Sequence, residues 1–316
     1  LQIPQRVLTH EVWSEGERMK RAAIVVAVLG MCVWSLGQST DKPAAQNPPA
    51  GQAAGQAGQT PAGQAAAAAP QGKRPPQAKT QPEFQAYKDA VALTDPAATE
   101  KAADDFATKY PDSELRSVLY KAAMQRYQQA NNGDKMLDMA HKVLGLDADD
   151  PEALLGVAQV LAERTRDTDL DKDQKLAEAK KDAERALVTT DTDTPTAGVP
   201  QDRLDAYKGY LRSEAYSILG TLAFNAKNWA EAETNLRKSI DAFPQQPDAI
   251  AIFRLAVALD MQNKLPEAMK YVDQAVELSK DRPDSGVGKA SRDEKDRLVK
   301  LSGGTAPGQT TAPPKN

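Results

Sequence analysis

Five acidic side chains, Asp167, Asp169, Asp171, Asp173 and Glu178, fall at offsets 1, 3, 5, 7 and 12 of one twelve-residue stretch, DTDLDKDQKLAE. Calcium takes six to eight oxygen ligands, and carboxylates at this spacing on a turn could supply most of them. Lys172, however, stands at offset 6, where a sharp turn wants glycine, and polar Gln174 follows at offset 8. A solvated acidic loop is therefore the primary reading, with no metal expected and calcium kept as the alternative. Other chemistry lacks material. After the first turns of the chain, His141 is the one remaining histidine, beside Met139 and Ala140 in helical text, where surface or packing roles outnumber catalysis. Cys32 is the only thiol, so neither a Ser–His–Asp nor a Cys–His site can be assembled with any redundancy. The glycine-rich text lies outside any strand–helix context, which removes a phosphate loop. The expectation is a non-enzyme without a cofactor.

The elements that would position any site are unevenly distributed along the 316 residues. Met19-Lys20-Arg21 precedes the apolar run Ala22 to Leu36, and Ser35 and Gly37 supply small residues before Gln38. That order of basic, apolar and small residues predicts a secretory signal peptide over 19–37. A membrane span needs about 20 apolar residues, so cleavage is favoured over a retained inner-membrane anchor, the alternative. Met31 before Cys32 argues against lipid attachment there. Residues 1–18 begin with Leu1 and carry Glu11, Glu15 and Glu17, and read as an over-extended start. Residues 38–83 repeat Gly, Gln, Ala and Pro with no bulky apolar side chains to offset chain entropy, so a disordered linker is expected. The tail 302–316 reads the same way. Export to the periplasm or cell envelope follows, with membrane contact only through an uncleaved N-terminal segment.

Between these ends, residues 84–282 hold 26 lysines and arginines against 35 aspartates and glutamates. Such a surface repels phosphate backbones, so nucleic acid is not an expected partner. Apolar residues recur at spacings of three and four, punctuated by Asp95-Pro96, Tyr110-Pro111, Asn131-Asn132-Gly133, Asp150-Pro151, Phe243-Pro244 and Gln246-Pro247. No alternating strand pattern occurs. An all-α region is predicted.

The clearest internal unit runs from Ser213 to Pro244 and carries Tyr216, Leu219, Gly220, Ala223, Ala232, Leu236, Ser239 and Pro244. These residues resemble the tetratricopeptide repeat at its positions 4, 7, 8, 11, 20, 24, 27 and 32. The next unit opens near Ala249 and puts Leu255-Ala256, Leu259, Ala268, Val272 and Ala275 in the same places. Upstream starts near Glu83, Ser117 and Pro151 are matched by Ala90, Ala102 and Phe106 in the first unit. In the third they are matched by Leu154, Val157-Ala158, Leu161, Ala179, Ala183 and Ala186. Small residues at positions 8 and 20 let two antiparallel helices approach, and larger ones fill the seam to the next pair. The second unit departs from this with Met124 and Met136. The third carries extra residues between Ala158 and Ala179. A Thr/Asp/Pro-rich loop within 188–212 could divide the array.

The resemblance implies a right-handed superhelix of about five helix–turn–helix units, near 83–116, 117–150, 151–190, 213–246 and 249–282, closed by a charged helix over 289–301. It implies an exported bacterial scaffold that binds a protein or peptide in a concave groove lined by the first helix of each unit. Tyr110-Pro111-Asp112-Ser113 is similar to envelope-assembly members of that family. Carried over by position, the groove residues are Lys121, Gln125, Gln128, Leu155, Gln159, Ser217, Thr221 and Asn225. A calcium-responsive module or an accessory subunit of an envelope enzyme, built on the 188–212 loop, are the alternatives. Glu214 and Thr221 stand where chaperone-binding members carry Lys and Asn. Trp229 is expected as a packing wedge.

Overall fold

The computed structural model describes residues 73–196 and 198–302. The expected over-extended start, signal segment, most of the linker and the tail beyond Ser302 lie outside these residues. Among the described residues there are eleven helices and no strand, so the chain is all-α there. They are α1 (Gln81–Val91), α2 (Pro96–Lys109), α3 (Leu115–Gln129), α4 (Gly133–Leu144), α5 (Pro151–Arg164), α6 (Lys172–Thr192), α7 (Gln201–Asn225), α8 (Trp229–Ala242), α9 (Ala249–Asp260), α10 (Leu265–Leu278) and α11 (Gly286–Leu301). None is long and apolar enough to cross a membrane.

Helix starts follow local chemistry. Asp95 and Asp150 each sit one residue before a proline, and their carboxylates accept from the amides of Ala98 and Ala153. A side-chain acceptor at the N-cap satisfies one of the orphan amides, and proline at the first helical position loses nothing. Thr80 and Glu83 close a reciprocal capping box on α1. Three of the hairpin turns are built alike. Asn131, Lys227 and Asn263 each adopt a left-handed backbone, with φ of 53°, 58° and 61°. The following amides, of Asn132, Asn228 and Lys264, then reach back 2.9 Å to the carbonyls of Tyr127, Ala223 and Leu259. This is the Schellman closure that reverses a chain directly after a helix.

Each helix packs on the next in sequence, and the odd-numbered helices also touch one another in succession from α1 to α11. The result is a row of odd-numbered helices with the even-numbered ones laid against it. Small residues set the approach within a hairpin. A Cβ added to Gly220 of α7 would lie 2.7 Å from Cγ of Leu236 on α8 and 3.3 Å from its backbone nitrogen. Ala158, Ala179, Ala232, Ala256 and Ala268 are fully buried. The two methionines of the second hairpin, which depart from the small residues expected there, reach into the next odd-numbered helix. Met124 Sδ and Met136 Cε fill the space that Gly156 of α5 leaves open, at 2.9 and 3.6 Å from where its Cβ would be. Unbranched thioethers suit such an irregular recess.

Several boundaries differ from the sequence reading. The end of the expected linker, residues 73–83, is held rather than free: Pro75 is buried and α1 has already begun at Gln81. The Thr/Asp/Pro-rich text does not separate two halves at 188–212. Helix α6 runs on to Thr192, α7 starts at Gln201, and α7 packs on both α5 and α6. The buried apolar core does divide, but within α7: Tyr207, Leu211, Ala215 and Ile218 belong to the first cluster, Ala223 and Phe224 to the second. The closing helix starts three residues earlier than expected and is anchored. Val287, Ala290, Glu294 and Leu298 are buried, and Arg297 pairs with both Asp260 and Glu294.

Candidate functional site

Helices α3, α5 and α7 of the odd-numbered row enclose a small cleft of about 40 Å³, room for a few waters. Its floor is apolar, from Met124, Leu155, Leu211 and Ile218; its walls carry Gln125, Gln128, Gln159, Glu152, Glu214 and Tyr210. Four of the eight groove residues expected from sequence, Gln125, Gln128, Leu155 and Gln159, are thus brought together. Gln128 Nε2 donates to Gln159 Oε1 at 3.2 Å, linking α3 to α5 across the cleft.

A buried ionic cluster adjoins the cleft and shares Gln125 and Glu152 with its lining. Lys121 Nζ is 2.9 Å from Asp150 Oδ2 and 3.5 Å from Glu152 Oε1. Gln125 Nε2 donates to Glu152 Oε2 at 3.0 Å, and the Tyr207 hydroxyl donates to Glu152 Oε1. Burial works against the charged form of Lys121, but the two carboxylates outweigh it and raise the ammonium above the ordinary lysine value. Burial first, and the Glu152 charge second, push the Tyr207 phenol well above its usual value. At neutral pH Lys121 is therefore a cation and Tyr207 a neutral phenol. Lys121 is buried and committed to this cluster.

The remaining expected residues separate. Thr221 is buried; its hydroxyl donates to the Ser217 carbonyl at 2.8 Å and accepts from Arg254 Nη1 of α9 at 2.8 Å. Ser217 is buried beside it, whereas Asn225 is exposed at the end of α7. Glu152, Tyr207, Tyr210 and Arg254 were not singled out from sequence. Glu152 and Glu214 both stand at position 2 of the expected repeat register, so that signal was present. Tyr207 lies ahead of the register altogether.

The acidic stretch is not a preformed cation loop. Helix α6 begins at Lys172, which puts Asp173 and Glu178 on a helix rather than in a turn. Lys172 Nζ lies 2.6 Å from Asp167, and Lys175 Nζ lies 2.9 Å from Asp171 and 3.6 Å from Asp169. Among the described residues, no group of three or more carboxylate, histidine or cysteine side chains is placed to hold a metal ion. Trp229 packs edge-on against Phe224, ring centroids 5.4 Å apart. His141 is exposed on α4. No protein-family model matches the chain, and no characterised protein shows significant similarity to it.

Proposed function

We propose that the chain is a tetratricopeptide-like superhelix serving as a non-enzymatic scaffold of the cell envelope, which binds a protein or peptide segment against its row of odd-numbered helices. The observation that carries this reading is the cleft between α3, α5 and α7. There Gln125, Gln128 and Gln159 converge beside apolar Met124, Leu155, Leu211 and Ile218. Amides supply both donors and acceptors, which suits the backbone of an extended segment, while the floor accepts a side chain. The three identically closed hairpin turns and the row of odd-numbered helices support the repeat architecture. The basic, apolar and small sequence at 19–37 supports export.

The test is site-specific photo-crosslinking in the native cell, with benzoylphenylalanine at Gln128 or Gln159 and, as control, at Arg237 on α8. A discrete adduct from the two cleft positions and none from Arg237 is expected. Equal labelling from both faces, or none from the cleft, refutes the proposal. N-terminal sequencing of the protein from fractionated cells tests export separately: a mature start near Gln38 in the envelope fraction is expected.

A further inference from the structure

In a stack of helical hairpins each unit touches only its neighbours, so units one and three are coupled only through unit two. Residues 73–80 break that rule. This extended segment runs along the edge formed by the connectors from each even-numbered helix to the next odd-numbered one: 110–114, 145–150 and 193–200. Lys79 Nζ donates to the Asp112 carbonyl at 2.7 Å, and the Gln77 amide to Glu114 Oε2 at 3.3 Å. The Arg74 guanidinium grips both oxygens of Glu114, with Nη1 at 2.8 Å from Oε2. Lys73 then reaches two connectors at once. Its ammonium pairs with Asp147 and, at 2.8 Å, with Asp193, and its carbonyl accepts from the Thr196 amide at 3.2 Å. Pro75 is buried between these anchors.

We infer that residues 73–80 are a strap that clamps the first three hairpins at a fixed spacing, through a latch formed by Lys73 with Asp147 and Asp193 and a second formed by Arg74 with Glu114. Arg74, Gln77 and Lys79 hold the first connector, while Lys73, the residue next to Arg74, holds the second and third. Adjacent residues thus bind different connectors, so spreading α3 from α5 and α7 requires a latch to open. Those helices frame the cleft. Both latches are ion pairs at a half-exposed surface, so salt loosens them.

Hydrogen–deuterium exchange on the full chain tests this, comparing wild type with Lys73→Ala/Arg74→Ala at 50 and 500 mM salt. Exchange at least tenfold faster in all three connectors is expected in the variant, with wild type at high salt moving toward it. Lys73→Arg, which keeps the charge, is expected to retain wild-type exchange. Faster exchange confined to 73–80, with the connectors within twofold of wild type, overturns the inference. So does a wild type whose connectors are indifferent to salt. Asp193→Asn gives an independent readout from the opposite partner: faster exchange at 193–200 supports the latch, and unchanged exchange there counts against it.

Discussion

Replacing Lys121 by methionine removes the cation from the cluster beside the cleft while keeping most of the side chain's length. The magnitude follows from geometry. At an effective dielectric of about 20, unit charges 2.9 and 3.5 Å apart attract by roughly 6 and 5 kcal/mol. Dehydrating each buried ion costs several kcal/mol, so the intact cluster contributes little net stability. Deleting one member is a different matter. It strands Asp150 and Glu152, both buried, at a cost of about 3–5 kcal/mol. For a folded region of this size about 2–4 °C is lost per kcal/mol, so the thermal midpoint is expected to fall by roughly 6–20 °C. The pH dependence has a definite sign. Lys121 has a raised value, so its contribution is complete below the unfolded-state lysine value and is lost only as pH climbs through the folded one. In wild type it is therefore constant from pH 5 to 8. Adding Glu152→Gln removes one stranded carboxylate and recovers part of the loss. Circular dichroism melts of the three proteins at pH 7 are the assay. A Lys121→Met protein within 1 kcal/mol of wild type refutes the reasoning.

Gly220→Val places a Cβ 2.7 Å from the Leu236 side chain, which is fully buried and has nowhere to move; overpacking of about 1–3 kcal/mol is expected as a lower urea midpoint. Lys227 is exposed with φ of 58°, a conformation that costs a side-chain-bearing residue about 1–2 kcal/mol. Lys227→Gly is therefore expected to raise stability by about 1 kcal/mol, read as a higher urea midpoint, and Asn131→Gly at the matching turn by much less, because asparagine tolerates that region. Calorimetric titration of the full chain with calcium to 1 mM is expected to show no heat above dilution, since Lys172 and Lys175 already occupy Asp167 and Asp171; a saturable signal would restore the calcium alternative.

Much of the helical layout could be read because its causes are local. Asp-Pro at 95–96 and 150–151 combines an N-cap with a first-turn proline, and both helices begin there. Asn131-Asn132-Gly133 marked a turn, and Asn131 supplies its left-handed residue. Lys227 does the same work in the turn before Trp229, yet nothing about a lysine advertises that backbone. Gly220 was legible as a close approach to the next helix, and Leu236 is the residue that comes up against it. Gly156 was not. Its recess is filled by Met124 and Met136, which lie 32 and 20 residues upstream, and the two methionines looked anomalous until their partner was known.

The candidate site divides along the same line. Which positions face along the odd-numbered row is set by helical register, so Gln125, Gln128, Leu155 and Gln159 could be named and do share a cleft. Which of them remain available depends on partners that register does not encode. Lys121 is taken by Asp150 and Glu152, and Thr221 by Arg254. Tyr207 reaches Glu152 across 55 positions of sequence only because α7 extends twelve residues ahead of the unit start at Ser213. That extension also carries Tyr210 into the cleft wall. The added length of α7, the glycine at 156 and the pair Glu152 and Glu214 therefore define this cleft. The ionic cluster beside it, built from Lys121, Asp150, Glu152 and Tyr207, ties three successive odd-numbered helices together.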